Sequence, residues 1–300
     1  MSNPWIVVGR GNLGSVMSAR LLQQGQALHQ LSRPYQNPNP QLTVMGYTQF
    51  RGTVSQLQDP TKIPSGANWI IPVKAWQLAS VLSTYSDAIH TAKEIYISHN
   101  GMGAAESELE LLRHIPCFDW ITTHGAWTNT AGIVHHSGHG ESWVGPRFPE
   151  HQRSASVDIL ATALPPLNWD ANIQRRRWIK LAINCSINAI ATLADKENGA
   201  LEEKPFQLQI VQVCNEVAQV YRQLHTDELP AETLVHAVNT VIKQTRNNRN
   251  SMLQDIHAGR PTEIDFLNGY IEKKGQKHQL PTPLNSELAD KIRILSNRVK

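Results

Sequence analysis

Four apolar residues in a row, Trp5-Ile6-Val7-Val8, are too few for a helix and lack polar gaps, the pattern of a strand buried on both faces. Helical spacing of apolar positions follows from Leu13 to Gln24, then a second short run from Ala27 to Leu31. Runs at Trp69–Val73 and Glu94–Ser98 read as later strands of the same sheet, with a helix from about Gln77 to Ser86 between them. Strand–helix–strand alternation predicts an α/β domain built on a doubly wound parallel sheet.

After Leu164-Pro165-Pro166 the pattern changes. Trp178–Leu193, Gln207–Leu224, Ala231–Thr245 and Pro283–Val299 carry helical periodicity, and strand signals nearly vanish. Thr282 is placed to cap the last helix, with Pro283 at its first position, where the missing N–H costs nothing. The boundary falls near Pro166–Asp170, giving an α/β domain over 1–167 and an all-α domain over 168–300. All eight Trp lie at or before Trp178, which sharpens the contrast between the halves.

The first strand runs into Gly9-Arg10-Gly11-Asn12-Leu13-Gly14, a G-x-G-x-x-G turn that opens a helix. Gly9 permits the tight turn, Gly11 lets backbone approach a pyrophosphate, and Gly14 lets helix and strand pack closely. The helix N-terminus then offers free N–H groups and partial positive charge to phosphate. An NAD site wants a carboxylate at the end of the second strand. Here the chain reads Leu31-Ser32-Arg33, so Arg33 is suited to a 2′-phosphate and NADP is favoured, although a solvated loop cation accounts for it too. Lys74 ends the Trp69–Val73 strand and Asn100 follows Glu94–Ser98, at the carboxyl edge where such sheets bind ligands.

On the otherwise apolar Trp178–Asn188 helix, Lys180, Asn184 and Asn188 stand at i, i+4 and i+8, on one face. Such a stripe faces either solvent or a cleft, and asparagine, a poor helix former for a plain solvated face, favours the cleft. Asn248 and Ser251 are spaced one helical turn apart, and the segment from Ser251 to Asp255 continues that helix to Gly259. Thr262-Glu263-Ile264-Asp265 matches a capping box, with Thr262 as N-cap and Glu263 in the first turn.

Twenty-eight Lys and Arg against 25 Asp and Glu leave a net charge of +3, too small an excess to indicate nucleic acid or a membrane surface as partner. No apolar run reaches the length of a membrane span. The N-terminus lacks the signature of a secretory signal, and three widely spaced cysteines fit a reducing cytoplasmic setting. His135-His136-Ser137-Gly138-His139 has no acidic or cysteine partner at metal-ligand spacing, so no metal is expected; Ala131–Val144 reads as a hairpin.

Taken together these motifs resemble the ketopantoate reductase (2-dehydropantoate 2-reductase) family. The likeness rests on the glycine turn, Lys74-Ala75-Trp76-Gln77, His99-Asn100-Gly101-Met102-Gly103 and the Lys180–Asn188 helix. Asn198-Gly199, Ser251-Met252-Leu253-Gln254-Asp255, and Thr262-Glu263-Ile264-Asp265 with Asn268-Gly269 extend it. The resemblance implies a Rossmann-type domain followed by an all-α domain, with the active site in the cleft between them. It implies NADPH-dependent reduction of the C2 ketone of 2-dehydropantoate to (R)-pantoate, on the way to pantothenate and coenzyme A. By position, Lys180 is similar to the family's proton donor and Glu263 to its glutamate near nicotinamide and substrate. Asn100, Asn184, Asn188, Asn198, Asn248 and Ser251 correspond to substrate contacts. Gly9, Arg10, Gly11, Asn12, Leu13, Gly14, Arg33, Lys74, Asn100 and Ala126 correspond to NADP contacts. Arg10 and Asn12 are larger than the family's usual residues there. The expected partner is a small 2-oxo acid, with the chain a monomer or homodimer. Another NADP-dependent 2-oxo acid reductase of this architecture, or a non-catalytic NADP-binding sensor, are the alternatives.

Overall fold

The computed structural model of the chain describes residues 3–32 and 39–298. Arg33 lies outside these residues, as do Val299 and part of the Asn37–Pro40 loop. The strands are β1 (Trp5–Val8), β2 (Leu28–Leu31), β3 (Gln41–Gly46), β4 (Phe50–Thr53), β5 (Ser55–Leu57) and β6 (Asn68–Pro72). They continue as β7 (Glu94–Ser98), β8 (Cys117–Thr122), β9 (Gly125–Thr128), β10 (Val134–Gly138), β11 (Ser142–Pro146) and β12 (Leu167–Trp169). The helices are α1 (Asn12–Gln23), α2 (Leu78–Thr84), α3 (Ser86–Ile89), α4 (Glu106–Leu111), α5 (Ser156–Ala163) and α6 (Ile173–Ala194). After them come α7 (Lys204–Leu224), α8 (Ala231–Gln244), α9 (Ser251–His257), α10 (Asn268–Lys277) and α11 (Pro283–Arg298). Two compact units result, one taking the chain to His99 and Ala105–Ile173, the other Asn100–Ala104 and the chain from Gln174 on.

The first unit is an α/β structure around an eight-stranded sheet in the order β12-β11-β8-β7-β6-β1-β2-β5. From β5 to β8 every pairing is parallel, as the alternation predicts; β11 then joins β8 antiparallel, so the sheet is mixed. Trp5, Ile6 and Val7 are fully buried, as a strand covered on both faces requires. A second sheet, β4-β3-β10-β9, was not legible in the apolar pattern, because its strands are short and partly polar. It also corrects the hairpin expected over Ala131–Val144: β10 pairs with β3 and β9, whereas β11 belongs to the large sheet.

Helix α1 touches β1, β2 and β6 of one sheet and β3, β9 and β10 of the other. A helix covered on opposite sides needs small residues where backbones close in, and Gly14, Ser15, Ser18 and Ala19 are all buried. The buried Ser18 hydroxyl is satisfied by Gln30 Nε2, which donates to it at 2.9 Å.

The second unit is helical, with no strand among its described residues. Its core gathers the apolar faces of α6, α7, α8, α10 and α11. Trp178 of α6 is fully buried and packs edge-on against Tyr221 of α7, 5.4 Å between ring centres, and against Tyr270 of α10 at 5.8 Å. Such aromatic pairs add about 0.5–1.5 kcal/mol beyond their burial. They clamp the start of the polar stripe in place. No helix among the described residues is long and apolar enough to cross a membrane.

Candidate active site

The glycine turn lies at the carboxyl end of β1. Gly9 adopts φ +78°, a left-handed backbone that disfavours any side chain, and its N–H donates to Leu31 O at 2.8 Å. A Cβ on Gly14 would stand 3.2 Å from Pro72 Cγ, 3.3 Å from Gly9 O and 3.4 Å from Val7 Cγ1, so helix and strands meet too closely for a larger residue. Gly11 occupies the N-cap of α1 without a side-chain cap bond, and a Cβ there would meet only Pro72 O, at 3.9 Å. The amides of the first turn therefore have no side chain folded over them from Gly11. This backbone suits a bound diphosphate.

Neither large residue of the turn extends freely. Arg10, half-buried, donates through its guanidinium to the carbonyls of Asn39 and Gln41, and so braces the chain entering β3. Asn12 Nδ2 donates to Ala126 O at 2.9 Å, and its Oδ1 accepts from Thr128 Oγ1 at 2.6 Å. Asn12 and Ala126, both assigned to cofactor contact from sequence, are thus joined to one another, with strand β9 held against the turn. Leu13 is partly buried behind it. Lys74 follows β6, with its N–H donating to Gln77 Oε1 at 3.1 Å.

The second constellation lies in the helical unit. The stripe on α6 does not face open solvent: Lys180 and Asn184 are partly buried and Asn188 is buried. Thr192 continues it one turn further and is 2% exposed. Burial pushes the Lys180 ammonium down to about 8; the Glu263 charge opposes that shift, and Arg177 adds to it. Glu263 is itself buried, and its Oε2 accepts from Asn100 Nδ2 at 2.9 Å. Asn100 arrives on the turn after β7, and Met102 N donates to Phe266 O at 2.8 Å. Gly101 has φ +77°, and a Cβ there would come within 2.1 Å of Phe266 O, so glycine is required for that docking. One ammonium, one carboxylate and one amide are thereby collected from three segments distant in sequence.

Two local expectations change. Ser251 does not continue a helix from Asn248: residues 248–250 are non-helical, and Asn250 caps α9 by accepting from Leu253 N at 3.0 Å. The buried Asn250 side chain outcompetes continuation of the preceding helix, because it satisfies an amide that would otherwise be orphaned. Thr262 does not cap a helix either. Ile264–Phe266 is a single 3₁₀ turn with Glu263 at its N-cap position, and the Glu263 side chain caps nothing there but accepts from Asn100 Nδ2.

Asn198 is buried at the start of a 3₁₀ turn, Asn198–Glu202; its N donates to Asn248 O at 3.0 Å and its Nδ2 to Thr245 Oγ1 at 2.9 Å. Asn248 therefore meets Asn198 through its backbone, with its side chain exposed, and Ser251 is exposed as well. Sequence reasoning missed Thr192, whose signal was the next i+4 step of the stripe, and Asn250, whose Oδ1 accepts from Thr192 Oγ1 at 3.3 Å. Among the described residues the buried Asn198 Oδ1 and Asn250 Nδ2 have no hydrogen-bond partner. No group of His, Cys, Asp and Glu among those residues is arranged to hold a metal. His136 Nδ1 instead pairs with Thr48 Oγ1 at 2.9 Å, and His135 stacks on Trp127.

Residues 5–148 match the family model described as ketopantoate reductase PanE/ApbA, and residues 172–296 match the model of its C-terminal part. The chain is 35% identical over 291 residues to the 2-dehydropantoate 2-reductase of Vibrio cholerae, covering 97% of each protein. A PanE/ApbA family ketopantoate reductase from Ralstonia eutropha JMP134 has a similar structure, with TM-score 0.83 at 23% identity over 98% of this chain and 99% of that one. So does D-mandelate dehydrogenase, solved with NADH and anilino(oxo)acetate, with TM-score 0.84 at 22% identity over 98% of this chain and 99% of that one. At these identities the two structures show a shared fold.

Proposed function

The chain belongs to the ketopantoate reductase PanE/ApbA family, and on that premise we propose that it reduces 2-dehydropantoate to (R)-pantoate with NADPH. The carrying observation is the pairing of a partly buried Lys180, pushed down to about 8, with the buried carboxylate of Glu263. In this reading residues 1–167 hold NADP and 168–300 hold the keto acid. The glycine turn and the first amides of α1 bind the diphosphate, and Arg33 binds the 2′-phosphate. NADPH supplies the hydride. Lys180 meets the oxygen that becomes the new hydroxyl, offsets the charge growing on it and passes it the Nζ proton. A donor at about 8 is mostly protonated at neutral pH yet gives up its proton more readily than a solvated lysine. Glu263 keeps the ammonium charged, and Asn100 fixes the carboxylate through its 2.9 Å bond.

Asn184, Asn188, Asn198 and Ser251 bind the carboxylate and hydroxyl of the substrate, since amides and hydroxyls donate and accept without adding charge. The unpartnered Asn250 Nδ2, on a side chain bonded to Thr192 of that stripe, supplies a donor there. The test is NADPH consumption with ketopantoate, set beside other 2-oxo acids and beside Lys180→Ala. Lys180→Ala is expected to lose about 10²–10⁴ in turnover while keeping NADPH affinity. Equal loss of cofactor binding, or faster turnover of another 2-oxo acid, would reject the assignment.

A further inference from the structure

Beneath the Lys180 stripe runs a buried polar chain that none of the roles above uses. Glu216 of α7, 5% exposed, accepts from Leu284 N and Asn285 N at 2.9 Å each, and from Asn285 Nδ2 at 2.7 Å. It thus caps α11 from another helix, where the helix dipole favours a negative charge. Asn285 Oδ1 in turn accepts from Asn268 Nδ2 at 3.0 Å, and the same Nδ2 donates at 3.1 Å to the carbonyl of Cys185 on α6. Asn268 and Asn285 are both fully buried.

The placement in sequence gives this chain its meaning. Cys185 lies five residues after Lys180 on one rigid helix, and Asn268 lies five residues after Glu263. The short segment from Glu263 to Asn268 is pinned at its start by the Asn100 bond and in its middle by Met102 N on Phe266 O. Arg293 Nε donates to Asp265 Oδ1 at 2.8 Å, and the end of the segment is tied to α6 where Asn268 Nδ2 meets Cys185 O at 3.1 Å. Two N–H bonds from one amide in a site without competing water hold a geometry that packing alone leaves softer.

We propose that Asn268 is a positioning residue that sets the separation of Glu263 from Lys180 by tying the end of the Glu263 segment to the α6 backbone. The inference rests on the Lys180–Glu263 reading of the preceding section. Glu263 favours the charged form of Lys180 and Arg177 opposes it. A looser tie weakens the Glu263 contribution first, so Lys180 loses its proton at lower pH.

The experiment compares Asn268→Leu, which keeps the branched shape of the side chain and removes both donors, with Asn285→Ala, which spares the Asn268–Cys185 bond. For each, kcat, KM for NADPH and for ketopantoate, the pH profile and thermal unfolding are measured beside wild type and Lys180→Ala. Asn268→Leu is expected to lower kcat about 10- to 100-fold. It should leave KM for NADPH within about twofold, and move the basic limb of the profile down by about one pH unit. Asn285→Ala should lower the unfolding temperature with the limb unmoved. A folded Asn268→Leu enzyme with wild-type kcat and limb overturns the proposal. So does an equal loss of kcat in both variants with neither limb displaced, which marks packing alone. If Asn268→Leu does not fold, Asn268→Ser is read by the same criteria. Full activity in Lys180→Ala would instead sink the parent reading, whatever Asn268 does.

Discussion

Replacing Glu263 by Gln tests the electrostatics of the site with little change of shape. Gln keeps an oxygen for Asn100 Nδ2 to donate to, as Glu263 Oε2 does at 2.9 Å, and removes only the charge. With Glu263 ionised, burial and the opposing carboxylate leave Lys180 at about 8. An opposite charge within reach contributes about one to three pH units, so its removal should bring Lys180 to about 7 or below. At pH 8 the protonated fraction then falls from about one half to about one tenth, a loss of about fivefold in the proton-donating form. With Lys180 at about 7, both enzymes remain largely protonated near pH 6 and the gap should narrow. The assay is kcat/KM for ketopantoate from pH 6 to 10, whose basic limb reports the free enzyme. A limb that stays put or moves upward in Glu263→Gln would refute the pairing, since no other carboxylate is assigned to support that ammonium.

Arg33→Ala should weaken NADPH binding and leave NADH binding nearly unchanged, as titration calorimetry with the two dinucleotides will show; equal losses would remove the 2′-phosphate role. Gly14→Val presses a side chain against Pro72 Cγ at 3.2 Å and Val7 Cγ1 at 3.4 Å, and should cost about 1–3 kcal/mol in urea unfolding. Gly9→Ala meets no neighbour and should cost only the strain of φ +78°, about 1–2 kcal/mol. His124 is pushed down to about 4 by burial, with His136 and His139 adding to the shift. Below its ordinary 6.5 the unfolded chain binds the proton that the folded chain refuses, so stability is lost as pH falls from there toward about 4. His124→Phe should flatten the unfolding temperature across that window.

Much of the first unit was legible because its signals are local. A four-residue apolar run leading into a glycine turn fits a covered strand, and a left-handed turn followed by close helix packing favours glycine at Gly9 and Gly14. The i, i+4, i+8 stripe on α6 was equally visible, since helical period is a property of the sequence itself. The second sheet was not visible, because strands such as Phe50–Thr53 carry partly exposed polar faces and gain their pairing from distant segments.

The chain alone settles the order of the elements, the glycine turn, and the identity of the ammonium, carboxylate and amides. Folding in three dimensions decides what those groups experience. Thr282 has the right identity to cap α11, yet the amides at Leu284 and Asn285 are taken by Glu216 from α7. Thr262 stands at a capping spacing, yet Glu263 turns to Asn100, 163 residues away. In each case a buried carboxylate takes a partner far away in sequence, Glu216 the first amides of α11 and Glu263 the amide of Asn100, because away from water an ionised acceptor gains most from every donor it can reach.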